Sequence, residues 1–142
     1  MPLETLGHFL IKTENLEETK TFYQDFLGLE DGYRPPFPFP GLWLYIGDTA
    51  IVHVANFRKG IDDKYYSDQR IGETTSSTGP VDHIAFTATG LDTFVERFEK
   101  ASIHMDRRTV PEDGTHQIFI IDPNGIMVEI DFPAEEAAGF EN

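Results

Sequence analysis

The strongest constraint on this chain is that its order of apolar and turn segments runs through once and begins again about 75 residues later. The first pass opens on Leu6-Gly-His-Phe-Leu-Ile11, a short apolar run bounded by polar residues and read as a strand. Asn15, with Glu18 three residues on, reads as a helix cap. Leu16, Thr19, Phe22, Tyr23, Phe26 and Leu27 then share one helical face, and Gly28 ends it. Shorter strands are expected over 29–34, 42–46 and 50–55, the last two joined through Gly47-Asp48-Thr49. The second pass has a strand at Val81-Asp-His-Ile-Ala-Phe86 and a helix marked by Leu91, Phe94, Val95 and Phe98. Strands over 105–110, 115–121 and 126–132 follow, the last hairpin turning on Asp122-Pro-Asn-Gly125. The pattern predicts an α+β fold of two βαβββ modules.

The expected organisation is a single domain over 1–142. Its modules cover 5–56 and 80–132, joined by a polar connection at 57–79, with an acidic, mobile tail at 133–142. The connection is long for a structureless segment, which suggests a lid or a tether that lets one module pair across a dimer. A net charge of −14 argues against nucleic-acid and anionic-membrane partners, and no stretch approaches the ~20 apolar residues of a membrane span. With zero cysteines there are no disulfides, thiolate nucleophiles or cysteine-ligated zinc. A soluble, cytoplasmic protein acting on a small molecule is the expectation.

Duplication also turns scattered side chains into a constellation. A slide of 75 places His8 on His83, and a slide of 76 places Trp43 on Phe119 and His53 on Glu129. A lone strand histidine is more often a structural group than a ligand. Four chemistry-bearing residues at paired positions change that balance, because strands alternate faces at period two and mates should face the same way. Three imidazoles and a carboxylate make a mixed N/O site suited to one divalent ion of Fe, Mn, Ni, Co or Zn. His8, His53, His83 and Glu129 are therefore the expected metal ligands, with His53 as fourth ligand or nearby base. Of the other histidines, His104 is expected in solvent, while the side taken by His116 depends on strand register.

The same segments, with Phe22-Tyr-Gln-Asp-Phe-Leu-Gly-Leu29 and Phe119-Ile-Ile-Asp-Pro-Asn-Gly-Ile-Met-Val-Glu-Ile130, resemble the vicinal oxygen chelate superfamily over about residues 5–132. That superfamily includes glyoxalase I, methylmalonyl-CoA epimerase, fosfomycin-resistance proteins, bleomycin-resistance-type binders and extradiol dioxygenases. The resemblance implies paired βαβββ modules curled around a metal cleft, ligands from the first and last strands of each module, and a homodimer. Glyoxalase I has a glutamate where this chain has His53, which departs from lactoylglutathione chemistry.

The activity implied is that of a metal-dependent lyase or isomerase, which chelates neighbouring substrate oxygens and stabilises an enediolate, with Glu129 as base, or His53 if it is not bound to metal. Trp43, Tyr45, Gln117 and Phe119 are expected to line the cleft, and Arg34 to neutralise an anionic substrate group. Pro35-Pro-Phe-Pro-Phe-Pro40 is too proline-rich for a central strand and reads as a stiff loop, or as an apolar wall at the entrance. The alternatives are an Fe(II) dioxygenase using His8, His83 and Glu129, and a non-catalytic resistance-type binder.

Overall fold

The computed structural model describes residues 4–58, 60–62, 78 and 81–142. Most of the expected lid or tether at 57–79 lies outside them. Two units divide the chain, Met1–Thr75 and Ser76–Asn142.

In the first unit, β1 (Phe9–Lys12) leads to α1 (Leu16–Thr21), a π-helical turn (Phe22–Phe26), β2 (Glu30–Gly32), β3 (Gly41–Ile46) and β4 (Thr49–Ala55). The strands order as β1-β4-β3-β2, with β1 parallel to β4 and the other neighbours antiparallel. Period-two burial separates the faces: Ile11, Leu42, Leu44, Val52 and Val54 are buried, as are Thr19, Phe22 and Tyr23 of the helical segment. Trp43 and His53, opposite each other in register, occupy the other face.

The second unit repeats this order with β5 (Ile84–Thr87), α2 (Leu91–Lys100), β6 (Asp106–Thr109), β7 (His116–Ile121) and β8 (Met127–Phe132). Its sheet runs β5-β8-β7-β6, with β5 parallel to β8. Leu91, Phe98, Ile118, Ile120, Val128, Ile130 and Phe132 make the core. Phe94 of α2 meets the Phe132 ring edge-on at 5.5 Å. The offsets read from sequence recur as hydrogen-bond register. Leu10 and Trp43 flank His53, and Ala85 and Phe119 flank Glu129.

Several local expectations are corrected. Asn15 makes no side-chain cap. Instead the Thr13 hydroxyl accepts from the Asn15 amide at 2.8 Å, and the Thr19 hydroxyl donates to the Asn15 carbonyl at 2.7 Å. The helix face that continues to Leu27 is wound as a π turn, with Leu27 N–H donating to the Phe22 carbonyl five residues back. β1 and β5 begin one residue after His8 and His83, so both histidines stand just before their strands.

The acidic tail is tied down rather than loose. Glu136, in a 3₁₀ turn (Ala134–Ala137), accepts from the Gly90 and Leu91 amides at 2.8 and 3.2 Å and caps α2 in place of a local residue. Asn142 pairs with both backbone groups of Thr109 on the β6 edge. Among the described residues, no helix is long and apolar enough to cross a membrane.

Candidate metal centre

Each unit brings two of the four expected ligands together. In the second unit, β8 carries Glu129 and the residue before β5 is His83, whose Nε2 lies 3.3 Å from Glu129 Oε1. Donor atoms each about 2.1 Å from one ion and near right angles are separated by roughly 3 Å, so this pair has the span of two neighbouring ligands. Asp82 Oδ2 lies 2.8 Å from His83 Nδ1. A proton held there leaves Nε2 with its lone pair free to coordinate, the arrangement that orients metal-binding histidines.

Glu129 is only 8% exposed. Burial raises its pKa, contact with the Asp131 carboxyl raises it further, and His83 and Gln117 partly oppose this. The His83 pKa is also raised, chiefly by its hydrogen bond to Asp82. Gln117, paired with Asp131 across β7 and β8, donates to Asp131 Oδ1 at 3.3 Å, and Phe119 presents its ring edge-on to His83 at 6.4 Å. Asp131 also lines an open recess of about 560 Å³ with Thr87, Thr89 and Thr115.

In the first unit, Trp43, His53 and His8 form one stack: Trp43 to His53 is 3.9 Å between ring centres, and His53 to His8 is 3.7 Å, both nearly parallel. Burial lowers the His53 pKa first, and His8 lowers it next, which keeps the imidazole neutral as a ligand must be. Imidazole lone pairs lie in the ring plane, so two parallel stacked rings point side by side. Turning at least one ring out of the stack lets both nitrogens address one ion.

Tyr45 donates to the Tyr33 carbonyl, and its ring covers Gly32, so it ties β3 to β2. Arg34 donates from Nη2 to the Phe39 carbonyl at 3.0 Å. The proline-rich loop is anchored by Phe39, which packs with Ala55 and Phe57.

Two expectations about the remaining histidines resolve. His104 is exposed beside Asp106. His116 is fully buried on the core side of β7, with Arg107 Nε donating to its Nε2 at 3.0 Å and Thr109 Oγ1 3.2 Å from its Nδ1. That arrangement fixes a neutral structural imidazole, and burial lowers its pKa. Asp82 and Asp131 are the polar groups that reading ligands alone left out. The Asp-His dipeptide at 82–83 and the alternation Glu129, Asp131 along β8 were the available signals. Among the described residues, no group of three or more histidine or acidic side chains is gathered to hold a metal. Within each unit the donors stand as a pair.

Two four-stranded mixed sheets, each of βαβββ order, define the class, and the chain belongs to the Glyoxalase/Bleomycin resistance protein/Dioxygenase superfamily, whose family model matches residues 5–130. It is 27% identical over 131 residues to Glyoxylase I 4 of Arabidopsis thaliana, spanning 90% of this chain and 70% of that one. Among solved structures it is similar to a mutant of the fosfomycin resistance protein FosX from Listeria monocytogenes, complexed with Mn(II) and 1S,2S-dihydroxypropylphosphonic acid. There the TM-score is 0.68 at 16% identity, over 94% of this chain and 95% of that one. It is also similar to lactoylglutathione lyase from Agrobacterium tumefaciens, with TM-score 0.62 at 18% identity over 99% and 100% of the two chains. At such identities the structural likeness establishes the fold.

Proposed function

We propose that the protein is a metal-dependent lyase or isomerase of the glyoxalase type, in which His8, His53, His83 and Glu129 hold one divalent ion, working as a homodimer in the cytoplasm. The observation that carries this reading is the His83–Glu129 pair, 3.3 Å apart, with Asp82 fixing the far side of the imidazole. The duplicated register, which puts His53 where β8 has Glu129, supports the other half. A divalent ion in such a site supplies Lewis-acid polarisation of neighbouring substrate oxygens.

The chain's own residues supply the rest. Glu129, with burial and Asp131 holding its pKa above the ordinary carboxylate range, is matched to removing a proton from the carbon beside a polarised carbonyl. His53, whose pKa is lowered by burial, would be the acceptor instead only where it is not bound to the ion. Trp43, Tyr45 and Phe119 supply apolar and aromatic walls, and Gln117 an amide to orient a substrate oxygen.

The test is to strip metal with chelator and reload under argon with Ni, Co, Mn or Zn, using hydroxy-ketone, thiohemiacetal and thioester substrates. Turnover restored without oxygen is expected. Turnover that needs both Fe(II) and oxygen would instead assign a dioxygenase built on His8, His83 and Glu129. Tight ligand retention with no turnover would assign a binder.

A further inference from the structure

Arg34 is placed with unusual care for a residue of a surface loop. Its guanidinium sits 5.2 Å over the Phe37 ring and 5.0 Å over the Phe39 ring, and Nη2 is fastened to the Phe39 carbonyl. A Cβ built on Gly41 would lie 2.5 Å from the Val54 carbonyl oxygen, 2.8 Å from Arg34 Nη2 and 3.1 Å from Cζ, so the β4 backbone and the guanidinium together take the space that a larger residue at 41 would need. Strand alternation identifies the face. Gly41 pairs with Ala55 and Trp43 pairs with His53, so Gly41 and Trp43 point the same way, one pleat repeat of about 7 Å apart. The charge therefore lies on the face of the first unit that carries Trp43 and His53.

Among the described residues, no carboxylate forms an ion pair with Arg34, although the chain carries 25 acidic residues against 11 basic ones. Burial costs this cation part of its hydration, and the two phenyl faces return only some of it. With one carbonyl as its hydrogen-bonded acceptor among the described residues, the planar fork keeps N–H donors available, and their geometry matches an oxyanion. Held by rings, glycine and carbonyl, the group is organised before any ligand arrives, which lowers the ordering cost of binding one.

We propose that Arg34 anchors an oxyanion of the substrate, so that the site takes small acids. Their carboxylate, phosphonate or phosphate would sit about one pleat repeat from the oxygens offered at His53. This rests on the chelating site proposed above and names the class of molecule it accepts. Gly41 is the positioning residue that leaves room for the guanidinium.

Two pyranones sharing one chelating hydroxy-ketone test it: kojic acid, which is neutral, and comenic acid, which carries a carboxylate across the ring. Calorimetric titration into metal-loaded protein at pH 7 should find comenic acid bound roughly 10- to 100-fold more tightly. Arg34→Gln should erase that difference while kojic acid binds as before, and Arg34→Lys should restore part of it. Equal affinities in the wild type, or a preference that survives Arg34→Gln, would overturn the inference and leave the chelating site standing. If neither compound binds while the metal is retained, the chelating reading falls and this inference with it.

Discussion

Glu129→Gln is expected to lower turnover by about 10²- to 10⁴-fold, the span that a positioned general base contributes. Glutamine keeps the shape and one oxygen donor but cannot accept the proton. The same substitution should stabilise the metal-free protein at neutral pH. Burial and Asp131 raise the folded-state pKa of Glu129 above its ordinary 4.5, so the folded chain holds that proton more tightly than the unfolded chain does. The resulting stability is fully present below the unfolded value and is lost as pH rises through the folded one. At pH 7 the wild type has therefore lost some or all of that stability, which the neutral amide has no proton to lose. The Tm of metal-free Glu129→Gln should exceed that of the wild type at pH 7 and converge with it near pH 4. Added metal should reverse the order, because a ligand that binds only the folded state stabilises it. A variant that keeps full turnover, or that melts below the metal-free wild type at pH 7, contradicts this role for Glu129.

The largest effect on stability is expected for Phe98→Ala. Phe98 is 0% exposed, and its neighbour Phe94 contacts both its ring and that of Phe132 at the end of β8. Truncating a buried phenylalanine costs about 3–5 kcal/mol through lost transfer energy and an incompletely collapsed cavity. That is a large share of the roughly 5–15 kcal/mol that holds a domain folded. Denaturant melts read the loss directly. Because β8 also carries Glu129, the variant should hold metal more weakly than the wild type when measured at the same temperature. A loss below about 1 kcal/mol would mean that Phe98 is not the packing centre of its unit.

Much of this was legible in the sequence because duplication is a statement about spacing, and spacing survives folding. The offset that laid Trp43 on Phe119 and His53 on Glu129 became strand register in both sheets. Leu42, Leu44, Val52 and Val54 alternate along β3 and β4 and make the buried face, since side-chain period and pleat are the same geometry. Features set by one hydrogen bond were harder to read. Asn15 looked like a cap, but the neighbouring Thr13 and Thr19 hydroxyls organise that turn. The π turn at Phe22–Phe26 differs from an α-helix in backbone bonding while leaving the apolar pattern intact.

Long-range polar contacts were likewise out of reach. Nothing near α2 announces that its cap is Glu136, dozens of residues downstream. The surroundings that distinguish Glu129 from an ordinary strand glutamate are Asp131, Gln117 and His83, which only strand pairing brings together. His116 is the converse case. It carries the right chemistry for a site, but its register turns it into the core, where Arg107 and Thr109 occupy both ring nitrogens.

Counting metal in protein purified without chelator, for the wild type, His8→Ala and Glu129→Ala, tests most directly whether the first unit's imidazoles and the second unit's carboxylate serve a common ion. An equivalent of divalent metal per chain in the wild type, and marked depletion in each variant, is the result predicted here. Full occupancy in both variants would show that neither residue is a ligand.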